Sequence, residues 1–277
     1  MADRCLLYYI TDRSQFRGDE RACRRALLGK IAEAARAGVD YIQLREKDLS
    51  TRELEMLARE VVAIVRENSS STRLLINSRT DVAQAAGADG VHLRADDVAP
   101  LEARPVLEGV DPQRLTRLLK ESCFAPKPPS AAKAADEDKP VIAAVNRCAT
   151  QNVSATCESR GLPDTMEASA YRPLTTEHFL VATSCHSNED VIRAESEGAD
   201  FAVFAPVFEK NNAPGRQPTG LAALHEACRA KIPVLALGGV TMENAASCLE
   251  AGAAGVAGIR LFQENRIEDV ARALRAL

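Results

Sequence analysis

The sequence contains no tryptophan, and aromatic residues occupy only 4% of its 277 positions. Its core must therefore be built from alanine, valine, leucine and isoleucine, which is typical of buried parallel strands. A continuous apolar run of about 18 residues is also missing, so we expect no transmembrane helix. Residues 1–13 do not have the pattern of a signal peptide, and we expect a cytoplasmic protein.

An excess of positive charge is absent too. The chain has 35 lysines and arginines against 39 aspartates and glutamates, whereas nucleic-acid-binding proteins usually carry a basic excess. Its eight cysteines show no C-x-x-C spacing, which argues against structural zinc and favours reduced thiols. The hydrophobic share of 46% and the charged share of 27% are globular values. The length fits one (β/α)₈ barrel or two ordinary domains.

A short glycine-containing sequence motif, called the repeated phrase below, occurs four times along the chain. Each copy follows a helix-like stretch and precedes a short apolar run; the copies are 37–40, 86–90, 197–200 and 251–255. A glycine at this place can adopt the left-handed conformation that ends a helix. The short apolar run that follows is typical of a buried strand. Each phrase therefore marks the step from a helix to the next parallel strand.

Completing this pattern predicts a (β/α)₈ TIM barrel. The predicted strands lie near 6–11, 40–44, 73–77, 90–93, 179–183, 201–204, 233–237 and 255–259. The predicted helices lie at 21–37, 50–67, 78–86, 97–104, 188–197, 219–230, 242–251 and 266–276. An open doubly wound sheet has the same alternation of elements and stays open as the alternative fold.

One segment interrupts the alternation. Residues 105–178 are far longer than a βα loop requires and hold eight of the 13 prolines. Within them, residues 125–138 are of low complexity, which predicts disorder. We interpret the chain as a single barrel over 1–277, with a long, partly disordered insertion between the fourth βα unit and the fifth strand.

Polar side chains follow nearly every predicted strand, where the active sites of such barrels lie. Gln43, Arg45 and Lys47 alternate along an extended segment, so their side chains should point the same way. An amide and two cations suit a phosphorylated substrate. A solvated surface run is the structural alternative.

Three further positions carry both a functional and a structural interpretation. Asp97, next to Asp96, can hold Mg²⁺ or can cap the next helix. His186 lies between a strand and a helix, where it can act as a general acid or base or serve a structural role. Gly238 and Gly239 let backbone N–H groups approach a phosphate, although the pair also suits a plain turn.

Together these segments resemble the thiamine phosphate synthase family, which includes relatives that act as thiazole tautomerases. The most specific pieces are Gln-Leu-Arg-Glu-Lys-Asp at 43–48 and Ala-Asp-Gly-Val-His-Leu at 88–93. Other matching segments lie, in order, at 9–13, 38–42, 75–77, 184–187, 206–208, 238–240 and 252–257.

The resemblance implies a transferase that joins hydroxymethylpyrimidine pyrophosphate to thiazole phosphate and releases pyrophosphate. It implies a dissociative route, in which a pyrimidinylmethyl cation forms and is attacked by the thiazole nitrogen. Mapped onto this chain, the resemblance implies that the pyrimidine pyrophosphate is bound by Gln43, Arg45, Lys47 and Asn77. It also implies that Asp97 binds Mg²⁺, that Ser184 lies near the reaction centre and that Gly239 helps to bind the thiazole phosphate. Lys47, Ser184 and His186 are the catalytic candidates, and Gly238, Lys210 and Arg260 complete the expected substrate site.

The chain departs from the family pattern in ways that bear on the metal. Ser78 replaces an aspartate expected on Mg²⁺, which predicts weakened or absent Mg²⁺ binding. Arg94 replaces a glycine and Arg260 a serine, and the usual phosphate loop after strand 6 is missing. We expect these arginines, with Lys210 or Arg216, to hold pyrophosphate partly in place of the metal.

Two other functions stay open at this point. A tautomerase would use His186 to move a proton while aromatising a carboxythiazole phosphate, and would need no Mg²⁺. A non-catalytic barrel would bind a thiamine-related phosphate as a partner or regulator. In each case we expect small phosphorylated ligands, with neither nucleic acid nor a membrane as partner, and the sequence is compatible with a homo-oligomer.

Overall fold

The computed structural model describes residues 4–107, 179–209 and 217–277. Eight parallel strands close into a barrel in which the strands follow each other in chain order. They are β1 (Leu6–Ile10), β2 (Tyr41–Leu44), β3 (Arg73–Asn77), β4 (Gly90–Leu93), β5 (Leu180–Cys185), β6 (Phe201–Phe204), β7 (Val234–Ala236) and β8 (Gly255–Gly258). The predicted TIM barrel is confirmed, and the open sheet is excluded.

Helices alternate with the strands in the described part of the chain. They are α1 (Glu20–Arg36), α2 (Thr51–Asn68), α3 (Thr80–Ala86), α4 (Pro100–Leu107), α5 (Asn188–Ser196), α6 (Gly220–Ala227), α7 (Ala245–Glu250), α8 (Arg260–Gln263) and α9 (Ile267–Leu274). Side chains fix several starts: Ser50 and Glu53 form a capping box on α2, and Ser187 and Asp190 form one on α5. Each box satisfies backbone N–H groups that have no partner within the helix.

Two predicted helix starts were wrong. The helix expected from residue 97 begins at Pro100, so neither Asp96 nor Asp97 caps it. The helix expected from residue 242 begins at Ala245, because Asn244 accepts a hydrogen bond from the backbone N–H of Thr241 and holds the preceding turn. Residues 105–107 of the predicted insertion are the last residues of α4, and residues 108–178 lie outside the described residues.

The core has two layers separated by the barrel wall. The larger one packs the outer face of the strands against the helices. The smaller one fills the barrel interior with side chains from six of the eight strands: Tyr8, Ile10, Leu75, Ala182, Phe201, Val203, Leu235 and Ala257. A filled interior confines ligands to the ends of the barrel.

The repeated phrase has two structural roles at the N-terminal end of the barrel. Its glycines all have positive φ at the ends of helices, as predicted: Gly38, Gly87, Gly198 and Gly252. Its aspartates were not predicted to matter. Asp40, Asp89 and Asp200 each accept a hydrogen bond from a backbone N–H at the start of the previous strand, at 2.9, 2.8 and 2.7 Å. This end of the barrel is therefore stabilised by the repeat, and the opposite end is left for function.

Candidate active site

Two amide side chains form the floor of the site at the C-terminal ends of β2 and β3. Gln43 is 2% exposed, and its Nε2 donates to Oδ1 of Asn77 at 2.8 Å. Asn77 Nδ2 in turn donates to the hydroxyl of Ser78 at 3.1 Å. This chain of bonds fixes the orientation of both amides, as a binding surface for a polar ring requires. The sequence predicted both residues for the site, and the structure brings them together.

Arg45 directly follows β2 beside these amides and is partly buried. Burial lowers the pKa of Arg45, the carboxylates of Asp12 and Glu46 raise it, and the charge of Arg94 lowers it. No carboxylate among the described residues lies within salt-bridge distance of its guanidinium group. A half-buried cation near a second cation favours the binding of an anion.

Asp97, the predicted Mg²⁺ ligand, is engaged by Arg94. Its Oδ2 accepts the backbone N–H of Arg94 at 2.7 Å, and its Oδ1 lies 3.2 Å from the guanidinium Nη2. Residue 78, the second position expected to bind the metal, offers only a hydroxyl. No group of three potential His, Cys, Asp or Glu metal ligands occurs among the described residues. In this arrangement the donor set does not fit Mg²⁺, because Arg94 pairs with Asp97 and also lies 3.5 Å from the carboxylate of the neighbouring Asp96.

Glu46 and Asp48, the two acidic residues of the Gln-Leu-Arg-Glu-Lys-Asp segment, have a structural role that the sequence did not reveal. Glu46 is 6% exposed and accepts hydrogen bonds from Thr11 at 2.7 Å and from the Arg13 backbone and guanidinium at 3.1 Å each. Arg13 also binds both oxygens of Asp48, at 2.6 and 2.7 Å. Burial raises the pKa of Glu46, and these bonds counteract that rise. The network clamps the loop after β2 onto the loop after β1.

Ser184 lies near the end of β5 and is the end point of a buried hydrogen-bonded chain. Its Oγ lies 2.8 Å from Nε2 of His92, whose Nδ1 lies 3.0 Å from the phenol oxygen of Tyr8. Tyr8 is fully buried, and His92 is 2% exposed. Ser184 also borders a cavity of about 230 Å³ that Arg94 and Asp97 line. The sequence predicted Ser184, but not its two partners.

His186 follows β5 and is held by its backbone and by its ring. Its backbone N–H donates to Asp190 at 2.9 Å, and its Nδ1 lies 2.6 Å from the carbonyl oxygen of Ala205. Because a carbonyl only accepts, Nδ1 carries the proton, and Nε2 of the neutral ring is left as an acceptor. The side chain can therefore take up a proton at Nε2.

Gly238 and Gly239 are required by close packing after β7. Their φ angles are +93° and +67°. A Cβ on Gly238 would lie 2.7 Å from Cα of Pro206, and one on Gly239 would lie 2.5 Å from the carbonyl oxygen of Glu209. Any side chain would push away the loop after β6, so this structural role accompanies the predicted phosphate role.

The other predicted binding residues are exposed or lie outside the described residues. Lys47 lies in the turn after β2 and is mostly exposed, and Arg260 is the exposed first residue of α8. Lys210 lies outside the described residues, as does Arg216. The structure thus places Gln43 and Arg45 at the end of β2, Asn77 at the end of β3 and Ser184 near the end of β5. Gly238 and Gly239 follow β7, on the far side of the barrel mouth.

Comparison with known proteins identifies the class to which this barrel and its strand-end residues belong. The family model described as thiamine monophosphate synthase matches residues 7–110 and 162–262. The chain therefore belongs to the thiamine monophosphate synthase family, as the resemblance predicted, and so to a class of transferase enzymes.

Individual relatives match along nearly the whole chain. A protein of Aquifex aeolicus is 34% identical over 93% of this chain and 97% of its own length. A protein of Methanoculleus marisnigri named thiamine-phosphate synthase is 30% identical over 97% of this chain and 93% of its own. The solved structure of a thiamine phosphate pyrophosphorylase from Pyrococcus furiosus, at 22% identity, superposes with a TM-score of 0.62 over 99% of this chain and 95% of its own, which supports the fold.

Proposed function

We propose that this protein joins hydroxymethylpyrimidine pyrophosphate to thiazole phosphate, forming thiamine phosphate and releasing pyrophosphate. Membership of the family and the names of its relatives support this reaction. The observation that carries it is Arg45, a half-buried cation two residues after Gln43, with no carboxylate of the described residues within salt-bridge distance. An amide surface beside an unpaired guanidinium suits a substrate with a polar ring and a diphosphate.

The chemistry that we propose breaks the bond between the pyrimidine methylene carbon and the pyrophosphate oxygen. The bonding electrons leave with pyrophosphate, and the thiazole nitrogen donates its lone pair to the resulting cation. Arg45 and Arg94 would stabilise the charge that develops on the leaving group. Gln43 and Asn77 would orient the pyrimidine, and the exposed Lys47 and Arg260 would attract the phosphates to the mouth.

The thiazole phosphate would bind on the opposite side of the mouth, at Gly238 and Gly239. Both glycines lack a side chain that would block an oxyanion from the backbone. Lys210 is the further cation that we expect there. This arrangement would bring the thiazole nitrogen towards the pyrimidine across the barrel mouth, with Ser184 and His186 at the end of β5, between the two subsites.

The metal requirement is part of the proposal. Because Arg94 neutralises Asp97 and residue 78 is a serine, we propose that Mg²⁺ binding is weak or absent. The proposed location is the cytoplasm, and no helix in the described part of the chain has the length and apolar character needed to cross a membrane.

A coupling assay tests the function. The purified protein is incubated with both substrates, with and without Mg²⁺, and thiamine phosphate is measured by its oxidised fluorescence. We expect product, and we expect Arg45→Ala to lower kcat/KM at least about tenfold, as loss of a charged hydrogen bond implies. The matched control is Arg229→Ala, an exposed arginine on the outer side of the barrel near the end of α6. No product with wild-type protein would refute the proposal.

Nε2 of His186 has no hydrogen-bond partner among the described residues, which gives the tautomerase its own test. Wild-type protein without coupling activity would be given the carboxythiazole phosphate. Aromatisation that is lost in His186→Ala would then establish the tautomerase instead. Coupling activity that survives His186→Ala would limit this histidine to a structural role.

A further inference from the structure

Tyr8, His92 and Ser184 form a hydrogen-bonded chain in the barrel interior. Which of them donates and which accepts decides whether Ser184 can act as a nucleophile or as a hydrogen-bond donor. The bond between Tyr8 and His92 joins β1 to β4 across the inside of the barrel, and the bond between His92 and Ser184 joins the neighbouring strands β4 and β5. A serine 2.8 Å from a histidine nitrogen resembles an activated nucleophile. The other end of the chain argues against that interpretation.

The phenol of Tyr8 sets the direction. Its hydroxyl is buried, and its only hydrogen-bond partner among the described residues is Nδ1 of His92. If Nδ1 carried the proton, the phenol proton would be left buried without an acceptor, which costs about 1–3 kcal/mol. Tyr8 therefore donates, and Nδ1 accepts.

The single proton of a neutral imidazole is then on Nε2. Burial and the nearby charge of Arg45 together lower the pKa of His92 to about 3, against a smaller opposing effect of Asp97, so the ring is neutral at physiological pH. Nε2–H donates to Oγ of Ser184. Because this nitrogen already holds a proton, it cannot take one from the serine, and the serine keeps its own proton for another acceptor.

We propose that Tyr8 and His92 are positioning residues that hold Ser184 as a hydrogen-bond donor to the substrate and prevent it from becoming a nucleophile. This inference rests on the proposed function for its purpose. A reaction that passes through a carbocation beside a serine must avoid capture of that cation by the hydroxyl. A serine whose lone pair accepts from His92 is a poorer nucleophile, while its proton can bind a nitrogen or oxygen of the pyrimidine substrate.

The direction of the chain is measured without substrate. The ¹⁵N NMR spectrum of protein with labelled histidine distinguishes the two neutral tautomers and the imidazolium, and the His92→Gln variant assigns the signal. We expect His92 to be protonated on Nε2 alone from pH 5 to pH 8. Protonation on Nδ1, or on both nitrogens, within this range would overturn the proposal. If His92→Gln does not fold, loss of the Tyr8 bond in Tyr8→Phe assigns the signal through its shift.

The positioning role is measured with a matched pair of variants. Tyr8→Phe removes the donor, whereas Tyr9→Phe removes a buried hydroxyl that has no hydrogen-bond partner among the described residues. We expect Tyr8→Phe to lower kcat about tenfold relative to Tyr9→Phe, as one lost hydrogen bond implies, with KM changed less than twofold. Equal kcat in the two variants would overturn the role. If the wild-type protein does not couple the substrates, the proposed function fails, while the NMR measurement still decides the direction.

Discussion

The buried histidine of the barrel interior predicts a specific loss of stability in acid. Burial, together with the nearby charge of Arg45, lowers the pKa of His92 to about 3, whereas a histidine in an unfolded chain has a pKa of about 6.5. Between these values the unfolded chain binds a proton that the native protein does not bind, so the free energy of unfolding falls as the pH falls. Integrated from pH 7 to pH 5, the loss from this one side chain is about 2 kcal/mol.

Urea unfolding at the two pH values measures this loss. Carboxylates also titrate in this range, so the useful quantity is the change in unfolding free energy of the wild type minus that of His92→Gln. The glutamine cannot be protonated, and we expect the variant to lose about 2 kcal/mol less than the wild type. His225→Gln, at an exposed position on α6, is the matched control for replacing a histidine. Equal losses in the wild type and His92→Gln would refute the reasoning.

Two further predictions concern Mg²⁺ binding and the close packing around Gly239. The double variant Ser78→Asp with Arg94→Gly should bind pyrophosphate at least about tenfold more tightly with Mg²⁺ than without it, because two carboxylates become available to the metal. Aspartate can adopt the φ angle of +58° found at Ser78. Calorimetric titration measures this, and a wild type that already needs Mg²⁺ would contradict it. Gly239→Ala should cost about 2 kcal/mol of stability, because its Cβ meets backbone at positive φ. Gly29→Ala, in open space on α1, should add about 1 kcal/mol. Thermal unfolding compares them, and equal shifts would show that the packing argument is wrong.

Much of the fold could be predicted because it repeats. The sequence of helix, glycine and buried strand recurs along the chain, and each step is governed by local backbone preferences that neighbouring residues reveal. The residues at the strand ends were found for the same reason. Once the strands are placed, the geometry of a barrel brings Gln43 and Asn77 to one end, whatever lies between them in the chain.

The parts that could not be predicted depend on contacts between distant positions. Tyr8 and His92 are typical core residues when each is considered alone, and only the closed barrel shows that they bond to each other. The pairing of Arg94 with Asp97 is short in sequence, yet a helix cap was an equally good interpretation of that aspartate. The role of Glu46 depends on Arg13, which lies 33 residues away and has no local signal.

The aspartates at the N-terminal end divide the barrel into pairs of strands. Each carboxylate lies just before an even-numbered strand and binds the odd-numbered strand before it, so it joins β1 to β2, β3 to β4, and β5 to β6. The long segment after α4 enters between β4 and β5, at a boundary that none of these carboxylates spans. An insertion at this point in the chain therefore leaves all three of these carboxylate hydrogen bonds intact.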